Sequence, residues 1–224
     1  MTLTDLFLFV VLPYAAVGQL LPALLFRRRP QGALLYAVGS TELTAERSAF
    51  WTRPGWIGAI VLLALHLVPF LFARGWSALI ADQNRLVVVE LIGLVGGLLF
   101  LFGVGLILKV RLFDGRLSPL KTSIEVGALA ALCGSAVAGL FTAVTLRWGS
   151  AWYTHVIGPY LWSLARLQPD VAPLAALGFW PRAHVALAFV AMALVPFTTL
   201  PNQLRAPVLA LFRRRPHAAV GGAP

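Results

Sequence analysis

The chain has 224 residues, of which 59% are hydrophobic and only 12% charged, with a formal net charge of +10. A soluble domain carries about 25% charged residues, so most of this chain is not in contact with water. The basic balance does not indicate nucleic acid, because no basic run is interleaved with aromatics as a nucleic-acid groove is. The charges sit instead beside apolar stretches, as Arg27, Arg28 and Arg29, as Lys109, Arg111, Arg116 and Lys121, and as Arg213, Arg214 and Arg215.

A helix needs about 20 apolar residues to cross the hydrocarbon layer. The chain has room for five such helices and little else. We therefore expect an all-α, single membrane domain over 1–224, without a separate soluble module or an internal repeat.

The first span is expected at about 5–26, opened by Thr2 and Asp5 in a capping-box arrangement. No positive n-region precedes it, so it reads as a retained span and not a cleaved signal. Pro13 lies inside it, where neighbouring helices can satisfy the freed carbonyl. The second span, about 54–73, places Pro54 in a first helical turn. The third is expected at about 85–108 and the fourth at about 124–146. Residues 151–167 hold Trp152, Tyr153, Tyr160 and Trp162, a composition suited to a helix lying in the membrane interface. The fifth span, about 178–200, has a start blurred by Pro181 and Arg182.

Orientation follows from the basic residues. The 27–53 loop, the 109–121 loop and the C-terminal tail hold 13 of the 18 lysines and arginines. The positive-inside rule then sets the N-terminus outside and the C-terminus in the cytoplasm.

Two of the four histidines lie at membrane depth, where an ionisable group is costly and is a functional candidate. His66 is about 18 Å along the second span from Pro54. His184 is early in the fifth span, which runs the other way. Both fall in the outer half, so the pair can clamp one metal from two sides. The alternative is that each histidine hydrogen-bonds a neighbouring helix. His155 and His217 read as solvated. The single cysteine, Cys133, excludes an intrachain disulfide, a cysteine-ligated iron–sulfur cluster and a C-x-x-C-H haem attachment.

With these residues placed, the chain resembles the gamma, or cytochrome b, subunit of respiratory nitrate reductases. The matching stretches are Leu12-Pro13-Tyr14, His66, Leu108-Lys109-Val110-Arg111-Leu112-Phe113 and Arg182-Ala183-His184. Each is short; their order, spacing and five-span frame carry the resemblance.

The resemblance implies two b-type haems, each held by two histidines, with quinol oxidation beside the outer one. His66 and His184 fall on the outer-haem ligand positions. The inner-haem positions fall on Trp56 and Asn202. Neither can serve, since indole nitrogen has no free lone pair and an amide is a poor ligand. One haem b is therefore expected, on His66 and His184. Trp56 either fills vacated volume or is an ordinary interfacial tryptophan.

Arg182 is the nearest donor in sequence for a haem propionate, or else an interface anchor. The family's basic quinol-site residue falls on Arg85, which can hydrogen-bond a quinone oxygen but not act as a base. Glu90 can accept protons if burial raises its pKa; otherwise it pairs with Arg85 or Arg74. His66 can also reach the quinone through its distal nitrogen.

The expected function is electron exchange between the membrane quinone pool and a partner redox subunit, in the direction of quinol oxidation, in a prokaryotic cytoplasmic membrane. The partner would be an iron–sulfur, molybdenum or cytochrome protein. Loss of the inner haem removes the relay to the cytoplasmic face, so either a partner supplies it or the partner docks outside. The competing reading is a haem-free membrane anchor of such a complex. A small transporter is disfavoured, as no inverted repeat or pair of broken helices appears.

Overall fold

The computed structural model describes residues 2–26, 45–113, 119–146 and 149–198. Among these the chain is helical, without strands. Five helical segments are long and apolar enough to cross a membrane: Leu3–Ala23, Arg53–Leu71, Gln83–Phe113, Ser123–Thr145 and Phe179–Phe197.

Helix α1 (Leu3–Leu6) starts on the expected capping box. Asp5 N donates to Thr2 Oγ1 at 3.1 Å and Thr2 N to Asp5 Oδ2 at 3.2 Å. Two of the orphan amides at the helix start are thereby satisfied. The chain continues through a π-helical turn, Phe7–Val11, into α2 (Leu12–Phe26), where Pro13 is fully buried.

Helix α3 (Ala45–Leu71) begins nine residues before Pro54. The expected first-turn proline thus lies inside a helix. Its missing amide removes a single hydrogen bond from a long helix, a defect that membrane helices absorb. After α3 come α4 (Ala73–Leu79) and α5 (Gln83–Phe113), the longest helix. Helix α6 (Pro119–Thr145) is the fourth span.

The aromatic segment then folds as α7 (Gly149–Trp152), a π-helical turn (Tyr153–Ile157) and α8 (Gly158–Ala165). Short α9 (Ala172–Ala175) leads to α10 (Phe179–Leu194), which closes in a 3-10 turn, Val195–Phe197. Pro181 is the third residue of α10, so it starts the helix and does not break it, because first-turn amides have no intrahelical partner.

The helices pack in the order α3, α5, α6, α10, α2. The α3–α5 crossing is close. A Cβ on Gly103 would lie 2.4 Å from Gly55 Cα, and one on Gly58 would lie 2.4 Å from Phe100 N. Glycines are needed here because backbone meets backbone, the small-residue packing of membrane helices. Arg111 Nε and Glu125 Oε2 form an ion pair at 3.2 Å, with the glutamate buried, tying α5 to α6.

Helix α3 leans on α5, and α10 leans on α6 and α2; α3 and α10 share no comparable packing. The 149–165 segment covers one end of the bundle. Tyr160, fully buried, donates to Phe9 O at 2.8 Å, and Tyr14 Oη donates to Leu164 O at 3.0 Å. Trp162 stacks on Phe70 at 4.8 Å between ring centroids, and its Nε1 donates to Phe70 O at 3.1 Å. The segment is thus bonded to three other parts of the fold by aromatic groups, whose apolar bodies and polar tips suit an interface.

Candidate functional site

His66 and His184 meet at the covered end. Their ring centroids are 6.0 Å apart, with 40° between the ring planes. Each lies five residues from the covered end of its own helix, at Leu71 for α3 and Phe179 for α10. That is about 8 Å of helix rise in both cases, so the two rings lie at similar distances from the same end of the bundle.

Both rings are held by the same kind of bond. His66 Nδ1 lies 2.7 Å from Leu62 O, one turn back on α3. His184 Nδ1 lies 2.8 Å from Ser135 O on α6. A carbonyl can only accept, so each Nδ1 carries the proton and Nε2 keeps its lone pair. Among the described residues neither Nε2 has a hydrogen-bond partner.

Ser135 Oγ also lies 3.1 Å from His184 Nδ1 and donates to His184 O at 3.1 Å. The serine therefore grips both the ring and the backbone of α10. Gly139, one turn on, makes room for the imidazole: a Cβ there would lie 2.9 Å from His184 Nδ1 and 3.0 Å from Cε1. Tyr153, first residue of the second π-helical turn, sets its ring edge-on to His66 at 5.7 Å and 89°.

The ring spacing is one at which two neutral imidazoles could hold a metal ion between them. An imidazole nitrogen binds such an ion at about 2.0–2.1 Å. Adding about 1 Å from each nitrogen to its ring centre gives a centroid spacing of roughly 6 Å for two opposed ligands. The carbonyl-fixed tautomers are those of metal-ligating histidines. Among the described residues no group of three or more His, Cys, Asp or Glu is placed to hold a metal, so a two-histidine site requires a group that supplies the remaining ligands itself. A haem does so.

The other residues singled out from the sequence lie around this centre in different ways. Glu90, on α5, accepts from Ser150 N at 2.7 Å and Ser150 Oγ at 2.8 Å. It caps the start of the cover segment and is paired with neither Arg85 nor Arg74. Arg85 is exposed, lies 3.9 Å from Asp82 Oδ1, and takes part in opening α5. No contact joins it to His66.

Arg182 forms an ion pair with Asp5 and sets its guanidinium 5.5 Å from the Phe9 ring centre. Two residues along a helix turn about 200°, so it points away from the side of α10 that carries His184. His66 Nδ1, read as a possible quinone contact, is engaged by Leu62. Trp56 is 38% exposed on α3, and Asn202 lies outside the described residues.

A family model for the nitrate reductase gamma subunit matches residues 5–219, nearly the whole chain. The protein belongs to the nitrate reductase gamma subunit family. No curated protein matches the chain. Membership of the gamma family implies a membrane cytochrome b subunit of a respiratory nitrate reductase, associated with other subunits of that enzyme.

Several parts of the site could not be read from the sequence. Ser135, Gly139 and Tyr153 are common residue types with no motif around them. Only the packing of α6 on α10, and of the cover on α3, brings them to the two histidines. The one available signal was the aromatic clustering over 151–167, which marked the cover as interfacial but not which ring faces inward.

Proposed function

We propose that this chain is the electron-transfer subunit of a quinone-linked respiratory complex, holding one haem b between His66 and His184. The observation that carries the reading is the 6.0 Å spacing of two imidazoles whose Nδ1 atoms are both committed to carbonyls. A haem b bound by two histidines supplies one-electron transfer and has no open iron position for a terminal substrate. The chain's own residues do the rest. Leu62 and Ser135 fix the tautomers, Gly139 gives the His184 ring its place, and the cover lies over that end of the bundle.

The positive-inside distribution makes the covered end the outer face, with the basic stretches 27–53 and 109–121 towards the cytoplasm. The inner-haem pair of the family is replaced by Trp56 and Asn202, and neither side chain can ligate iron. A second haem is therefore not part of this reading. Arg182, engaged by Asp5 and Phe9, is better suited to anchoring α10 against the N-terminal helix than to a propionate. The quinone pool is the small-molecule partner, with Arg85 and Glu90 flanking its approach along α5. A redox subunit of iron–sulfur, molybdenum or cytochrome type completes the complex in a prokaryotic cytoplasmic membrane.

Pyridine haemochrome analysis of the purified protein tests the reading. About one haem b per chain is expected, and none after His184→Ala, with membrane insertion retained. A stoichiometry near two refutes the single-haem assignment. No haem in the unaltered protein leaves the anchor reading in its place.

A further inference from the structure

We propose that Tyr153 is the residue that seats a quinone headgroup beside His66, by a hydrogen bond from its hydroxyl to a quinone oxygen. The proposal rests on the quinone-linked function above and adds the group that recognises the substrate.

Three observations carry it. The first is the direction of His66. The ring is exposed, but it is turned towards Tyr153 and His184. Tyr153 is the described tyrosine whose ring lies edge-on to His66.

The second is the state of the tyrosine hydroxyls. Tyr14 and Tyr160 both spend theirs on backbone carbonyls. Tyr153 Oη has no hydrogen-bond partner among the described residues. A phenolic hydroxyl donor suits a neutral carbonyl or phenolic oxygen. A carboxylate of a haem would be matched better by a cation.

The third is how the ring is held. Tyr153 opens a π-helical turn, a local defect often found at functional sites. One turn before it, Ser150 is bonded twice to Glu90; nine residues after it, Trp162 is bonded to Phe70. The segment is fixed on both sides of Tyr153, so the hydroxyl is positioned by the fold. Glu90 acts here as a positioning residue for the cover.

The test is the affinity of the full-length protein for a short-chain quinone, followed by quenching of tryptophan fluorescence, for the unaltered protein and Tyr153→Phe. Loss of one neutral hydrogen bond is expected to weaken binding about three- to tenfold, while haem content and the haem midpoint potential stay as they were. An unchanged Kd overturns the proposal. So does a shifted midpoint potential with an unchanged Kd, since the hydroxyl would then serve the haem. Labelling of the unaltered protein with a photoreactive quinone gives a second reading: label in 149–165 supports the assignment, and label confined elsewhere defeats it. The binding measurement does not depend on haem, so a failure of the single-haem reading is seen separately by haemochrome analysis.

Discussion

His66 and His184 are 118 positions apart in sequence, yet their imidazoles stand 6.0 Å apart, each five residues from the same end of the bundle. Their helices do not pack closely on each other. The pair is brought together from behind, by α5 under α3 and α6 under α10. Substitutions in those supporting helices should therefore change the site as much as changes to the ligands.

Gly139 is the most direct case. A side chain there meets the His184 ring at 2.9 Å, and the ring is held in place by Ser135. Gly139→Val should displace the imidazole and lower haem occupancy, at an overpacking cost of about 1–3 kcal/mol. Gly139→Ala should do so partially. The check is the ratio of haem absorbance to protein in variants that still insert; full occupancy in Gly139→Val would remove the glycine from the site.

Ser135→Ala separates the serine's two bonds. The Ser135 carbonyl that accepts from His184 Nδ1 is backbone and survives, whereas the hydroxyl bond to His184 O is lost. Haem should remain, with thermal stability reduced by about 0.5–1.5 kcal/mol. If the variant loses its haem altogether, the carbonyl is not what holds the ring.

Glu90→Ala should loosen the cover. The carboxylate satisfies both Ser150 N and Ser150 Oγ, and hydrogen bonds to a charged group contribute about 1.5–3 kcal/mol. Hydrogen exchange over 149–165 should rise while α6 and α10 keep their protection. Glu90→Gln, which retains an acceptor oxygen, should fall between the two. Equal exchange in all three proteins would show that the cover is held by its aromatic contacts alone.

Tyr153 also sets an alkaline limit. Its folded-state pKa is raised from 10.0 to about 12 by burial. A raised pKa favours the protonated form in the folded state, so its contribution to stability is complete below pH 10 and is lost as pH rises towards 12. Tyrosinate absorbance should show a late-titrating component that Tyr153→Phe reduces. Titration of every tyrosine near pH 10 would place Tyr153 in water.

The α3–α5 crossing predicts a different failure. At Gly58 and Gly103 the atoms in the way are backbone, which cannot rotate aside as a side chain can. Gly58→Leu should separate the helices and abolish a monodisperse folded protein, with the haem lost as a consequence. Size-exclusion chromatography of the variant in detergent decides it.

How much of this was legible in the sequence depends on the range of the physics involved. Span number and the place of the interfacial segment follow from transfer free energies summed over about 20 residues, and such sums need no tertiary information. The Thr2–Asp5 capping box is equally local, as its atoms are three residues apart. The depth of each histidine follows from helix rise alone. The partners of those histidines do not. Which carbonyl fixes each tautomer, which glycine admits the ring, and that Glu90 bonds Ser150 and not an arginine depend on helix rotation and on close backbone approach. Those are set by ångström-scale packing between segments far apart in sequence. The two histidines were visible as a pair from the chain; that their rings lie 6.0 Å apart, with Ser135 on one and Tyr153 on the other, was decided only by how α3, α6, α10 and the cover pack.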